Sequence, residues 1–177
     1  MFPLLSKVQP VTILFTPNSA NFDTPVIAPE MAVEDQWIDY NDHLNMAYYN
    51  VLFDRTADVA VNILNCGEAY RRETNRTMMT AEAHVTYLRE LKKGATVRGT
   101  FRLLDADQKR LHIYQELYHR DGWLSAASES VLLHVDLAGP RVTPFPEEIY
   151  DDIKTMLRYH RSLPKSKYIG RVIRLRR

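Results

Sequence analysis

One segment constrains the fold more than any other. From Asn45 to about Asn65 the chain reads "NMAYYNVLFDRTADVAVNILN", a long helical pattern. Asn50, Asp54, Asp58 and Asn62 recur at intervals of four, so they share one narrow stripe of the helix. Nearly every other position is Ala, Val, Leu, Ile, Phe or Tyr. A surface helix is apolar on one side only; this one is apolar around most of its circumference and should be wrapped by other structure. Asn45 suits the N-cap, and Gly67 is expected as the residue that ends the helix.

The wrapping material follows directly. "MMTAEAHVTYLREL" (78–91), "ATVRGTFRLL" (95–104), "RLHIYQELYHR" (110–120) and "WLSAASESVLLHVD" (123–136) read as four strands. Their connections "KKG", "DADQK" and "DG" are short, which makes consecutive strands antiparallel neighbours. Asp121–Gly122 is expected to form a type I′ turn. Ahead of the helix, 25–38 reads as an extended strand broken at Pro29. Strand, long helix, then four antiparallel strands predicts an α+β architecture, one sheet around one helix. Such a sheet leaves an edge open, so a homodimer extending it, or a dimer of such dimers, is expected.

At 177 residues with a net charge of +1, the chain is sized for one domain and carries no field that would recruit nucleic acid or an anionic membrane. Its one cysteine, Cys66, excludes an internal disulfide and a cysteine-rich metal site, and fits a reducing cytoplasm. No stretch approaches a membrane span, and the apolar opening lacks the basic start of a signal peptide. The boundaries expected are a flexible leader (1–25), the sheet-and-helix domain (26–139) and a C-terminal extension (140–177). In that extension a helix starts near Pro146, with acidic residues in its first turn and basic ones in its last. The basic tail "KSKYIGRVIRLRR" reads either as a solvated or edge-strand segment, or as a contact to a phosphate or a neighbouring subunit.

Chemistry concentrates at the helix start, in "WIDYNDHLNMAYY" (37–49). With Asn45 assigned to the cap, Asp39 has no obvious structural task and is the candidate catalytic carboxylate. The first amides of a helix are unpaired and carry partial positive charge, so a carbonyl held there would be polarised. A nearby carboxylate could attack that carbonyl or activate water. Asp54 on the helix stripe is the second-choice carboxylate, with Arg55 beside it to offset charge.

These residues resemble the Asp-x-x-Gly-His-x-Asn segment of the hotdog-fold acyl-CoA thioesterases, the 4-hydroxybenzoyl-CoA thioesterase branch, over roughly 28–137. The resemblance implies a catalytic carboxylate at Asp39, with His43 and Asn45 as the motif's other members. It also implies a thioester carbonyl polarised by the backbone N–H near Met46. Asp42 stands where the family usually has Gly, and Met46 where it often has a second Asn, which questions the loop geometry. "DYNDHLNMAYY", "TYLREL", "KRLH" and "AASESVLLHVDL" are together similar to the betainyl-CoA thioesterases of carnitine degradation. Trp37, Tyr40, Tyr48 and Tyr49 would then supply aromatic faces for a quaternary ammonium group, or else pack in the core. Arg89, Lys92 and Lys93 are candidates for gripping coenzyme A, which enters as part of the substrate.

The histidines of the strands (His84, His112, His119, His134) show no helical metal-ligand spacing, and neither a metal nor a dissociable cofactor is expected. A hotdog hydratase is the weaker enzymatic alternative, since "DYNDH" lacks that family's proline and its histidine arrives one residue early. A non-catalytic module that binds acyl thioesters is the other alternative.

Overall fold

The computed structural model describes residues 24–175. Its elements in order are β1 (Val26–Ile27), β2 (Met31–Ala32), a 3-10 turn (Asp35–Trp37), α1 (Met46–Ile63), α2 (Glu68–Thr74), β3 (Arg76–Tyr87), β4 (Thr96–Ala106), β5 (Arg110–His119), β6 (Leu124–Asp136), β7 (Arg141–Val142) and α3 (Glu147–His160). The sheet runs β1-β4-β5-β6-β3, with β2 also on β4 and β7 on β6. Every pairing is antiparallel.

The four long strands and both expected long helices are present. The segment 25–38 is not one strand: Pro29 divides it into β1 and β2, and Asp35–Trp37 turns instead of extending. α1 ends sooner than expected, because Asn65 takes the left-handed conformation at φ 56 and closes the helix. Gly67 serves α2 as its N-cap, a helix the sequence reading did not anticipate. A Cβ at Gly67 would sit 1.8 Å from Asn62 Oδ1, so close approach to α1 is what requires the glycine. The β5–β6 connection also differs. Gly122 alone has positive φ, and its N–H donates to the His119 carbonyl at 2.8 Å. A turn with glycine in the left-handed position, and a register shift at Leu117/Tyr118, replaces the two-residue I′ turn.

α1 is buried on one side, through Tyr49, Leu52, Phe53, Thr56, Ala60 and Val61, against the odd-numbered residues of β4 and β5. Val51, Ala57, Val59 and Ile63 are only half-buried, so the sheet of one protomer covers part of the helix and does not wrap it. The core falls into two apolar clusters. One joins Trp37, Leu44, Tyr49, Leu52, Leu91, Val97 and Leu117 at the N-terminal half of α1. The other joins Ala60, Leu64, Phe101, Leu103, Ile113 and Leu132 with Phe145, Ile149, Ile153 and Met156 of the C-terminal extension. Buried Thr56, Gln115, Ser128 and Ser130 are polar residues outside both clusters, and Gln115 Nε2 donates to the Phe53 carbonyl at 2.7 Å.

α3 is fastened to the sheet edge by His160. Beyond the end of β1 the Leu103 amide has no strand partner, and it donates to His160 Nδ1 at 2.9 Å. The expected leader lies almost entirely outside the described residues. Among the described residues no helix is long and apolar enough to cross a membrane.

Candidate active site

The loop 39–43 is pinched shut at its base. Ile38 and Leu44 form an isolated bridge, the Leu44 amide donates to the Leu91 carbonyl at 2.7 Å, and the Asn45 amide donates to the Trp37 carbonyl at 2.9 Å. Inside the loop the Asp39 amide donates to the His43 carbonyl and the Asp42 amide to the Asp39 carbonyl. The Asn41 N–H donates to Asp39 Oδ1 at 2.8 Å, an Asx-turn. Asp39 therefore does have a structural task, contrary to the sequence reading, but that task uses one carboxylate oxygen only. Asp42 stands at φ 61, the left-handed region where glycine would be unstrained. Asp42 thus takes a backbone conformation that suits glycine, and Asp is among the residues that tolerate it.

Asn45 is the N-cap, its Oδ1 accepting from the Ala47 amide at 3.0 Å. The Met46 amide, first in the helix, is not used by the cap. Asp39, Tyr40, Leu44, Asn45, Met46 and Tyr49 line an open cleft of about 560 Å³ whose other wall is Tyr87, Leu88, Arg89 and Glu90. That second wall is the end of β3 and the segment after it. Tyr87 meets Tyr49 edge-on with ring centroids 5.1 Å apart, and its hydroxyl donates to the Met46 carbonyl at 3.3 Å. Tyr49 Oη accepts the Leu91 amide at 3.2 Å. Burial raises the pKa of both tyrosines, so neither is an acid near neutral pH.

The other candidates lie elsewhere. Trp37 stacks on Tyr48 at 5.5 Å with the Arg55 guanidinium 5.0 Å above it, so this pair packs beneath the loop and does not face the cleft. Arg55 pairs with Glu34 at 3.1 Å, not with Asp54. His43 contributes its carbonyl to the loop and is not among the lining residues. Lys93 pairs with Asp35 at 2.7 Å, and Lys92 sits in the tight turn before β4; neither lines the cleft. Arg89 does line it, with its guanidinium 4.0 Å over the Trp123 ring.

Asp54 opens onto a separate cavity of about 340 Å³ between α1 and the sheet, with Asn50, Thr80, Gln115, Ser128 and Ser130. Its place eight residues beyond Met46 puts it roughly 12 Å along the helix axis. One protomer thus does not bring Asp54 to the Asp39 cleft. Asp58, one turn further, has its pKa raised by burial and by Asp54.

Tyr87 and Glu90, both within "TYLREL", line the site although the sequence does not mark them as site residues. The sequence pattern placed them on a strand, and only the fold shows that this strand ends beside the mouth of α1.

The comparisons with known proteins agree with this fold. Residues 33–153 match the model of the Thioesterase-like superfamily. A betainyl-CoA thioesterase of Pseudomonas aeruginosa is 38% identical over 155 residues, covering 87% of this chain and 93% of that protein. A Rhizobium meliloti L-carnitine dehydrogenase/betainyl-CoA thioesterase is 29% identical over 87% of this chain, which spans only 31% of that larger protein. A hypothetical protein of Staphylococcus aureus, solved in complex with CoA, superimposes with a TM-score of 0.74 at 27% identity, over 86% of this chain and 97% of that one.

Proposed function

From the premise that this chain belongs to the Thioesterase-like superfamily, with its hotdog fold, we propose that Asp39 directs hydrolysis of a small acyl-CoA whose carbonyl docks at the start of α1. The chain is a thioester hydrolase acting on acyl-CoA. What carries the assignment of roles is one juxtaposition: Asp39 and Met46 line a single open cleft, and among the described residues the Asn45 cap leaves the Met46 amide unused.

The chemistry follows from that placement. The Met46 N–H, supported by the N-terminal end of the helix, stabilises the oxyanion that forms as the thioester carbonyl is attacked. Asp39 acts as nucleophile, or as general base taking a proton from the attacking water. The C–S bond breaks, and coenzyme A leaves as a thiolate that takes up a proton. Asn45 holds the helix start in position. His43 supports the loop through its carbonyl, a smaller role than the motif implied. Water is the only co-reactant, so the reaction needs no cofactor.

A betainyl acyl group is supported by the similarity to the P. aeruginosa enzyme and by aromatic rings at the cleft. Tyr40, which is 95% exposed, and Tyr87 can present π-faces to a quaternary ammonium group. Arg89 at the rim is the best-placed group for the phosphates of coenzyme A; Lys92 and Lys93 could assist only from outside the cleft. Among the described residues the twelve-residue strand β3 is an edge of the sheet, and α1 keeps a half-buried flank beside it. Both features support a homodimer that continues the sheet across β3. The single free cysteine fits a cytoplasmic setting.

The test is thiol release from an acyl-CoA panel that includes betainyl-CoA. Asp39→Asn keeps an oxygen for the Asn41 amide but has no carboxylate, and should lose at least about 100-fold in kcat/KM. Asp54→Asn should stay within about threefold of wild type, because that carboxylate lies outside the cleft. If the effects are reversed, Asp54 is the catalytic group. If the wild type binds acyl-CoA and cleaves none of the panel, the chain is a binding module.

A further inference from the structure

The face of the sheet turned away from α1 is not bare. After α3 the chain crosses it as a strap, from β4 over β5 to β6, with a turn at 167–170. Arg102 on β4 donates to the Leu163 carbonyl at 2.8 Å and also to the Pro164 carbonyl. On β5, Tyr114 Oη meets Ser166 Oγ at 2.8 Å, and Ser166 Oγ also donates to Glu116 at 3.2 Å. On β6, Glu129 accepts the Gly170 amide at 2.6 Å while its other oxygen meets His112 Nε2 at 2.8 Å.

Three of these anchors stand in one line. Arg102 is opposite Tyr114, Tyr114 is opposite Glu129, and Glu129 is opposite His84 on β3. The strap therefore advances one strand at a time toward the open edge. At Gly170 one strand, β3, still separates it from that edge. Residues 171–175 continue beyond this last anchor, and Val172, Ile173 and Leu175 are 74%, 86% and 90% exposed. Three large aliphatic side chains within four residues, interleaved with Arg171 and Arg174, make an apolar segment that nothing among the described residues covers.

We infer that residues 171–175 cross the dimer seam and pack on the outer face of a second copy of this chain. The inference rests on the sheet-extending dimer proposed above. Strands lie about 4.8 Å apart, so passing β3 and reaching the first strand of the second copy takes roughly 10 Å. Five extended residues reach up to about 17 Å, enough to cross the seam and lie on the far side. The surface they meet there is the outer face of the second copy's own β3. In this chain that face carries Met79, an exposed apolar side chain, and Glu82, a carboxylate for the arginines. By two-fold symmetry each copy gives one tail and receives one. The strap thus fastens the edge pairing from outside.

Two measurements test this. Sedimentation on dilution compares the wild type with a chain truncated after Gly170 and with Ile173→Asp. Removing apolar side chains that the dimer buries, or replacing one with a charge, should weaken self-association by at least about tenfold in both variants. Separately, Ile173→Cys and Glu82→Cys proteins are mixed and treated with a short bismaleimide. A covalent dimer joining the two different variants is expected; the native Cys66 is buried, with its thiol pKa pushed up to about 12, and does not compete. Undiminished dimerisation of both variants together with no mixed cross-link overturns the inference. So does a truncated chain whose dimer is unchanged but whose KM for acyl-CoA rises, since the basic tail would then serve the substrate's phosphates. A wild type that is monomeric throughout removes the dimer itself, a failure distinct from both of these.

Discussion

His160 makes the fold acid-sensitive by an amount that can be worked out. The imidazole is fully buried between α3 and β4, and its Nδ1 accepts the Leu103 amide, so the proton must be absent from that nitrogen. Burial pushes the pKa down from 6.5 to about 4. In the unfolded chain the same group titrates near 6.5, so above that pH neither state holds the proton and stability is unaffected. As pH falls from 6.5 toward 4, the unfolded state takes up a proton that the folded state refuses, and stability drops. Linkage gives a loss of about 2 kcal/mol between pH 7.5 and 5, approaching about 3 kcal/mol below pH 4. Urea unfolding at pH 7.5 and 5.0 measures it, with His160→Gln as reference. The glutamine oxygen can accept the Leu103 amide and does not titrate. His134, also lowered by burial, acts in the same direction and cancels in the comparison. The wild type should lose about 2 kcal/mol more than the variant over this interval. Equal losses would refute the reasoning, because the acid sensitivity would then come from other groups.

Three further outcomes follow from the loop and the core. Asp42→Gly relieves a left-handed aspartate, so thermal unfolding should show unchanged stability or a gain of up to about 1 kcal/mol, with thioester cleavage retained. Asn45→Ala removes the oxygen that caps α1 and should cost about 1 kcal/mol in denaturant unfolding, with a fall in kcat/KM as the helix start frays. Gly99→Ala would place a Cβ 1.9 Å from Thr56 Oγ1 and 2.7 Å from Thr56 Cγ2, which should destabilise by about 1–3 kcal/mol. Adding Thr56→Ala should recover part of that loss in a double-mutant cycle, the Thr56 Cβ at 2.8 Å being kept by the alanine.

The fold was legible where periodicity and turn chemistry act locally. The α1 pattern, the four strands and the acidic-to-basic polarity of α3 are each written in a window of a dozen or so residues. The connections were less legible. Whether Asn65 or Gly67 takes the positive φ depends on α2 packing back against Asn62, a tertiary contact. For the site, the Asp39 loop could be read because its residues are neighbours in sequence. Tyr87, Arg89 and Glu90 join it only because the end of β3 lies beside the start of α1, some forty residues earlier.

β5 shows most clearly what polarity alone misreads. In "RLHIYQELYHR" polarity by itself would turn Tyr114 inward and Gln115 outward, whereas the alternation of Leu111, Ile113 and Leu117 puts Gln115 on the inner face. The structure follows the alternation. Gln115 faces α1 and spends its amide on the Phe53 carbonyl, and it lines the Asp54 cavity with Ser128 and Ser130. Tyr114 is equally buried, but on the other face, beneath the C-terminal strap. Both inversions have a physical cause outside the strand. A buried amide is tolerated on the helix side because a helix carbonyl accepts its proton. A large aromatic ring is tolerated on the outer side because the strap excludes water and Glu116 and Ser166 satisfy its hydroxyl. The outer face is therefore a second interior, built by the residues after Pro164. A chain cut before the strap would expose Tyr114 and leave Arg102 and Glu129 without backbone partners.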